Sequence, residues 1–233
     1  MGEGQVAPTD RDPQSTALRM QILTTEHASL VAARNLAWSE SFSRAAMYLA
    51  TLSGAIVALG LIAGIDHFGQ TFVVFALVIL PIVLFIGVAT FIRMGAANYH
   101  DALAVVGMNR IRAGYLELDP KAAPYFVMGV HDDDPGIALT MAVLPNNGQI
   151  LHVIAATPFV VTVLDAVVAG AIAVIAVSGA LNLVPAVGLV AAAVAFVLVV
   201  LLHSRVIRGN IRSLKALMHP LFPTPSESEN PAV

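Results

Sequence analysis

Charge is scarce in this sequence and cysteine is absent: 12% of the 233 residues are charged, and there is no Cys. With 58% hydrophobic residues beside so little charge, an ordinary soluble domain is excluded. The missing cysteines rule out a disulfide framework, which short loops outside a membrane do not need. The motifs of common enzyme classes are missing too: there is no Walker loop, no GxGxxG after a strand, no HExxH and no GxSxG. We therefore expect no enzyme, no catalytic residue and no cofactor. The N-terminus, MGEGQVAPTDRDPQ, has no apolar signal-peptide core, so the first long apolar run is expected to remain as an anchor.

The charge that exists is segregated. Residues 45–65 and 72–92 hold 21 residues each without a charge, 153–180 holds 28 with Asp165 alone, and 184–202 holds 19. About 20 apolar residues cross a hydrocarbon core of roughly 30 Å as a helix. Continuous runs rich in Ala, Leu and Val, without alternation, favour helices over barrel strands. The expected fold is an all-α membrane protein, with four transmembrane helices as two hairpins and long cytosolic helical extensions.

Orientation follows from the twelve Lys and Arg residues. Arg11, Arg19, Arg34 and Arg44 precede the first run; Arg93, Arg110, Arg112 and Lys121 lie between the second and third; Arg205, Arg208, Arg212 and Lys215 follow the fourth. The short connections DHFGQT and LNL carry none, so the positive-inside rule places both outside and both termini in the cytosol of a multi-pass plasma (inner) membrane protein. The organisation reads as a disordered N-terminus over 1–15, a cytosolic helix over 16–44 and a first hairpin over 45–92. A cytosolic helical segment over 93–152, a second hairpin over 153–202, a basic amphipathic helix over 203–219 and a disordered tail over 220–233 follow.

Before the first span, Ala28, Val31, Asn35, Trp38, Phe42 and Ala45 alternate steps of three and four, which predicts one packed stripe, with Trp38 within reach of the headgroup zone. After the second, Met94, Ala97, Asp101, Ala104, Met108, Ile111 and Tyr115 repeat the spacing, ending near Gly114–Pro120. Antiparallel spans should bring these extensions side by side, either packing within one chain or associating between subunits, and Asp101 favours a wet or oligomeric contact. Arg205, Arg208, Arg212 and Lys215 fall opposite Ile207, Ile211, Leu214 and Met218, so this helix can lie on anionic lipid headgroups or pack on other cytosolic helices.

Two places hold unusual chemistry. HDDDPG (His131, Asp132, Asp133, Asp134, Pro135, Gly136) could bind a cation or a partner. Adjacent carboxylates rarely converge on one ion, so no metal is expected, and Asp134 as N-cap with Pro135 at the first helical position is the simpler reading. Glu26-His27 reads as an exposed helical pair. Asp165 in VVTVLDAVVAG costs roughly 3 kcal/mol at a helix centre and should have a partner, within reach of which lie Thr162, Thr51, Ser53, Thr90, Arg44 and Arg93. It serves as a polar clasp, lines an aqueous path, or handles a proton. Gly60 with Gly64, and Ala166 with Gly170, are small-residue pairs suited to close packing; Pro81 is a kink or a hinge.

The stretches TTEHASLVAARNLAWSESFSRAAMYLATLSGAIVALGLIA, MNRIRAGYLELDP and HDDDPGIA, within residues 20–215, resemble a family of uncharacterised bacterial four-span membrane proteins with a TEH helix, an MNRxR segment and an HDD loop. The resemblance implies membrane location and architecture, and no activity. In layout alone the chain is similar to the two-span SLATT effector domains, thought to assemble into membrane-perturbing oligomers, without their attached sensor domain. The expectation is a non-enzymatic scaffold or signalling component that presents cytosolic helices and the HDDDPG loop to an unknown cytosolic protein. It engages the bilayer and no nucleic acid, and can form a homo-oligomer. The alternative is an oligomeric ion channel or membrane-perturbing effector with Asp165 on its path.

Overall fold

The structure, a computed structural model, describes residues 13–143 and 157–225. The chain is all-α: among the described residues there is no strand, and four helices are long and apolar enough to cross a membrane. In order these are α1 (Pro13–Asp66), α2 (Gln70–Leu118), a 3-10 turn (Pro120–Tyr125), the short α3 (Asp134–Thr140), α4 (Thr157–Val174) with a π-helical turn (Ile175–Ala180), and α5 (Pro185–Leu217). It is a multi-pass membrane protein.

Asp66 ends α1 and begins α2. Its main-chain oxygen accepts the Gly69 N–H at 2.9 Å and its carboxylate accepts the Phe72 N–H at 2.8 Å, satisfying donors that the first turn of α2 would otherwise leave open. His67 and Phe68, at φ 48° and 61°, take the left-handed conformation that reverses the chain between them. Pro81 lies inside α2, which continues on both sides of it.

The described residues pack as two compact units. The second, over 37–100 and 157–218, holds the apolar runs. Its core is Ala45, Tyr48, Leu52 and Ala55 from α1, Ala76, Leu80, Val83, Phe91 and Met94 from α2, and Val161 and Val168 from α4. α5 is nearly all outward-facing, with Val187, Val190, Val194 and Leu198 exposed; in a bilayer this face meets lipid. Of the two small-residue pairs, Ala166 and Gly170 are buried, Gly170 against the Ala192 carbonyl, whereas nothing approaches Gly60 or Gly64.

The first unit, over 13–36, 101–143 and 219–225, pairs the start of α1 with the end of α2. The stripe expected on α2 is the packed one: Met94, Ala97, Ala104, Met108 and Ile111 are buried. The stripe expected on α1 is not. Ala28, Val31, Asn35, Trp38 and Phe42 are exposed, and of that set Ala45 alone is buried. The packed face of α1 instead runs through Leu23, His27, Leu30 and Arg34. Leu30 presses on Gly107 and Leu23 on Gly114, His27 stacks near Tyr115 with ring centroids 6.1 Å apart, and Arg34 donates to Asp101 at 2.7 Å. Side-chain holes at two glycines and one ion pair decided the register, which apolar count alone does not report. Asp101 answers an arginine of its own unit in a part-buried ion pair, and His27 is half-buried rather than an exposed pair with Glu26.

Two boundaries also move. Helix begins by Pro13, inside the segment read as disordered, while residues 1–12 lie outside the described residues, as do 144–156 and 226–233. The basic segment 203–219 is not a separate helix but the end of α5, which stops at Leu217.

Candidate functional site

Asp165 is fully buried, at the meeting point of all four spans of the second unit. From α1, Tyr48 donates its hydroxyl to Asp165 Oδ1 at 2.8 Å. From α5, His203 Nε2 lies 3.6 Å from Oδ2. From α2, Gly87 leaves the space that the carboxylate fills, since a Cβ there would stand 1.8 Å from Oδ1. Phe91, also on α2, meets the His203 ring edge to face at a centroid distance of 3.9 Å. Among the described residues, Asp165 Oδ2 is buried without a hydrogen-bond partner.

Four of the six partners expected for Asp165 are engaged elsewhere. Thr162 donates back to the Pro158 carbonyl at 2.8 Å and Thr51 to that of Met47 at 2.9 Å, the usual fate of a helical hydroxyl. Arg44 and Arg93 both bond Glu40, at 3.0 and 2.7 Å. The Arg93 and then the Arg44 guanidinium hold the Glu40 carboxyl below its ordinary range. Two signals pointed to the true partners: Tyr48 is the one tyrosine in any of the four apolar runs, and His203 follows the last run directly. Tyr48 sits three residues inside the first run, about 5 Å of rise from its first residue.

The acidic loop belongs to the first unit, and its carboxylates are occupied. Asp132, with no exposed side-chain surface, pairs with Arg110 at 2.7 Å and accepts the N–H groups of Leu221 at 2.9 Å and Phe222 at 2.8 Å. Asp133, not Asp134, caps α3, accepting the Gly136 N–H at 3.1 Å; Asp134 and Pro135 occupy its first turn. Asp133 also accepts the N–H and hydroxyl of Thr224, at 2.6 and 2.9 Å. Burial opposes the charge on Asp132 and Asp133, but these donors outweigh it and hold both carboxyls below the usual range. Residues 220–225, expected as part of a disordered tail, are thereby fastened to the loop; the rest of that tail lies outside the described residues.

Beneath the loop, the fully buried Asn109 donates to the His131 and Gly136 carbonyls at 2.7 and 3.1 Å. It accepts from Thr140 at 2.8 Å and from Arg112 at 2.9 Å. The MNRIR and HDDDPG motifs, some twenty residues apart in sequence, thus bond one another through Asn109 and Arg110, while Arg112 braces Asn109 and the Gly129 carbonyl. Among the described residues no group of His, Asp or Glu is arranged to hold a metal ion. His131 instead lines an open cleft of about 370 Å³ with Leu116, Phe126, Met128, Leu139 and Thr224.

Of the expected membrane-surface residues, Arg205, Arg208, Arg212 and Lys215 are all exposed along the end of α5. Trp38, 49% exposed, pairs with Phe42 at a centroid distance of 5.6 Å. Comparison with protein-family models, curated proteins and solved structures finds no match for this chain.

Proposed function

We propose that this chain is a non-enzymatic membrane scaffold or signalling component whose first unit, on the cytosolic face of a bacterial plasma membrane, binds a partner protein. The observation that carries the reading is the surface around the cleft. Met128 and Leu139, which line it, are open, and Tyr125 and Val127, the sequence neighbours of the cleft residue Phe126, are 84% and 82% exposed, in a segment that flanks the apolar runs in sequence. Apolar side chains grouped at an open cleft in water mark a contact surface. The acidic loop supports this surface from behind: Asp132 and Asp133 are consumed in holding residues 221–224, and His131 and Thr224 reach the cleft. The basic end of α5 suits anionic headgroups, with exposed cations worth about 1 kcal/mol each near such a surface.

Conduction fits the site less well, because Asp165 is enclosed by protein within this chain. The test places a photo-crosslinking residue at Val127 in cells, with one at exposed Ile82 in the second span as reference. A discrete adduct from Val127 that disappears with Leu139→Asp supports the partner surface. No adduct, together with ion flux through purified protein in liposomes that Asp165→Asn abolishes, would replace the scaffold with a channel.

A further inference from the structure

The Asp165 cluster carries an inference that does not depend on the partner surface. An ionised carboxylate inside a bilayer costs several kcal/mol unless a counter-charge or enough donors answer it. Among the described residues a single donor, the Tyr48 hydroxyl, reaches the carboxylate, at Oδ1. Oδ2 receives none, and the nearest basic atom is His203 Nε2 at 3.6 Å.

The groups facing the carboxylate can be named helix by helix. α1 brings Tyr48, α5 brings His203, and α2 brings the bare backbone of Gly87, with Phe91 against the imidazole. On α4 itself, Thr162 is turned to the Pro158 carbonyl. Among the described residues, His203 is the sole basic side chain within ion-pair distance of Asp165, since Arg44 and Arg93 answer Glu40.

We propose that Asp165 Oδ2 and His203 Nε2 form a binding site for one proton, whose presence fastens α4 to α5 inside the membrane. The added proton converts carboxylate and neutral imidazole into either a carboxylic acid donating to Nε2 or an imidazolium donating to Oδ2. Both forms carry no net charge, and both give Oδ2 the partner it lacks. The atoms need to approach by less than about 1 Å to reach hydrogen-bond distance. A metal ion suits the place poorly: one oxygen and one nitrogen are on offer, whereas zinc takes four ligands and harder cations six or more. The clearance at Gly87 and the Phe91 ring edge fix the two partners face to face, so the site is a designed gap rather than a loose corner of the core.

The experiment uses the full chain in lipid nanodiscs, with aspartate labelled by carbon-13 at the carboxyl. Difference infrared spectroscopy across a pH series follows the carboxylic acid stretch, and thermal unfolding is followed over the same series. The wild type should show one buried protonation event at the Asp165–His203 pair: an acid band that disappears at alkaline pH, or its mirror in imidazolium bands. Stability should fall on that alkaline side, because the folded state there holds the proton that pH removes. Asp165→Asn should lose both the band and the pH step, and His203→Phe should shift the band or the pH at which it titrates.

A wild type without any such event between about pH 5 and 9 overturns the proposal. So does a step that persists unchanged in Asp165→Asn or in His203→Phe. The spectroscopy on wild-type protein alone remains decisive if a variant does not fold. Its failure would leave the Val127 crosslinking result untouched.

Discussion

Gly87 and Asp165 are matched so closely that a single added methyl would lie 1.8 Å from the carboxylate oxygen and 2.9 Å from a ring carbon of Tyr48. The helix that carries no charge into the cluster is thus the one that sets how near the others come. A glycine in an apolar span of α2 looks unremarkable in sequence, and here it is the mould for a buried acid.

Gly87→Ala should lower the stability of the membrane bundle by about 1–3 kcal/mol or more, the usual cost of overpacking a filled core. Thermal unfolding in detergent measures it. Adding Asp165→Ala should restore part of the loss, because the clash partner is removed; additive losses would show that the two positions do not meet.

Tyr48→Phe keeps the ring and deletes the one hydrogen bond given to Asp165. An expected loss of about 1–3 kcal/mol follows from leaving the acceptor without a donor. In the Asp165→Ala background the same change should cost little, which a double-mutant cycle resolves.

Asp132→Asn should release residues 221–224 while leaving the spans intact, because a neutral amide cannot match two main-chain donors and Arg110 together. Amide exchange at Leu221 and Phe222 should quicken by tenfold or more, about 1.4 kcal/mol.

The same carboxylate predicts a pH effect. The Asp132 carboxyl is held below its ordinary value of 3.8, so the folded state binds fewer protons than the unfolded chain in that range. Its contribution is fully present above the ordinary value and is lost as pH falls through the lower folded one. Nuclear magnetic resonance of the Phe222 amide should report detachment only below about pH 4, and Asp132→Asn should abolish the transition.

Asn109→Ala strips the His131 and Gly136 carbonyls, the Thr140 hydroxyl and Arg112 of a shared partner. Arg112 and Thr140 keep partners at Gly129, so with the two carbonyls costing about 1–3 kcal/mol each when stranded the first unit should lose about 2–6 kcal/mol. Exchange across residues 129–140 should rise while that of α4 stays unchanged.

Legibility in the sequence varied by the kind of force involved. The α2 stripe through Ala104, Met108 and Ile111 could be read because its apolar spacing coincides with its packed face. The α1 stripe through Trp38 and Phe42 is not the face packed within the chain, because Leu23 and Leu30 are the side chains that meet glycines on α2. Asp165 stood out as a lone acid, but Tyr48 lies 117 residues away and could not be chosen from among several nearer hydroxyls and arginines. The cap of α3 was misplaced by one residue, since three consecutive aspartates offer equal capping chemistry and only the backbone turn selects Asp133.

By itself the sequence determined the solvent and the spans, because the free energy of placing 19 or more predominantly apolar residues in lipid depends on composition and length, not on neighbours. Tertiary structure alone decided which side chains answer Asp165 and Asp132, because hydrogen bonds and ion pairs act over a few ångströms between segments tens of residues apart. Such short-range forces select partners only after helix packing has brought the segments together.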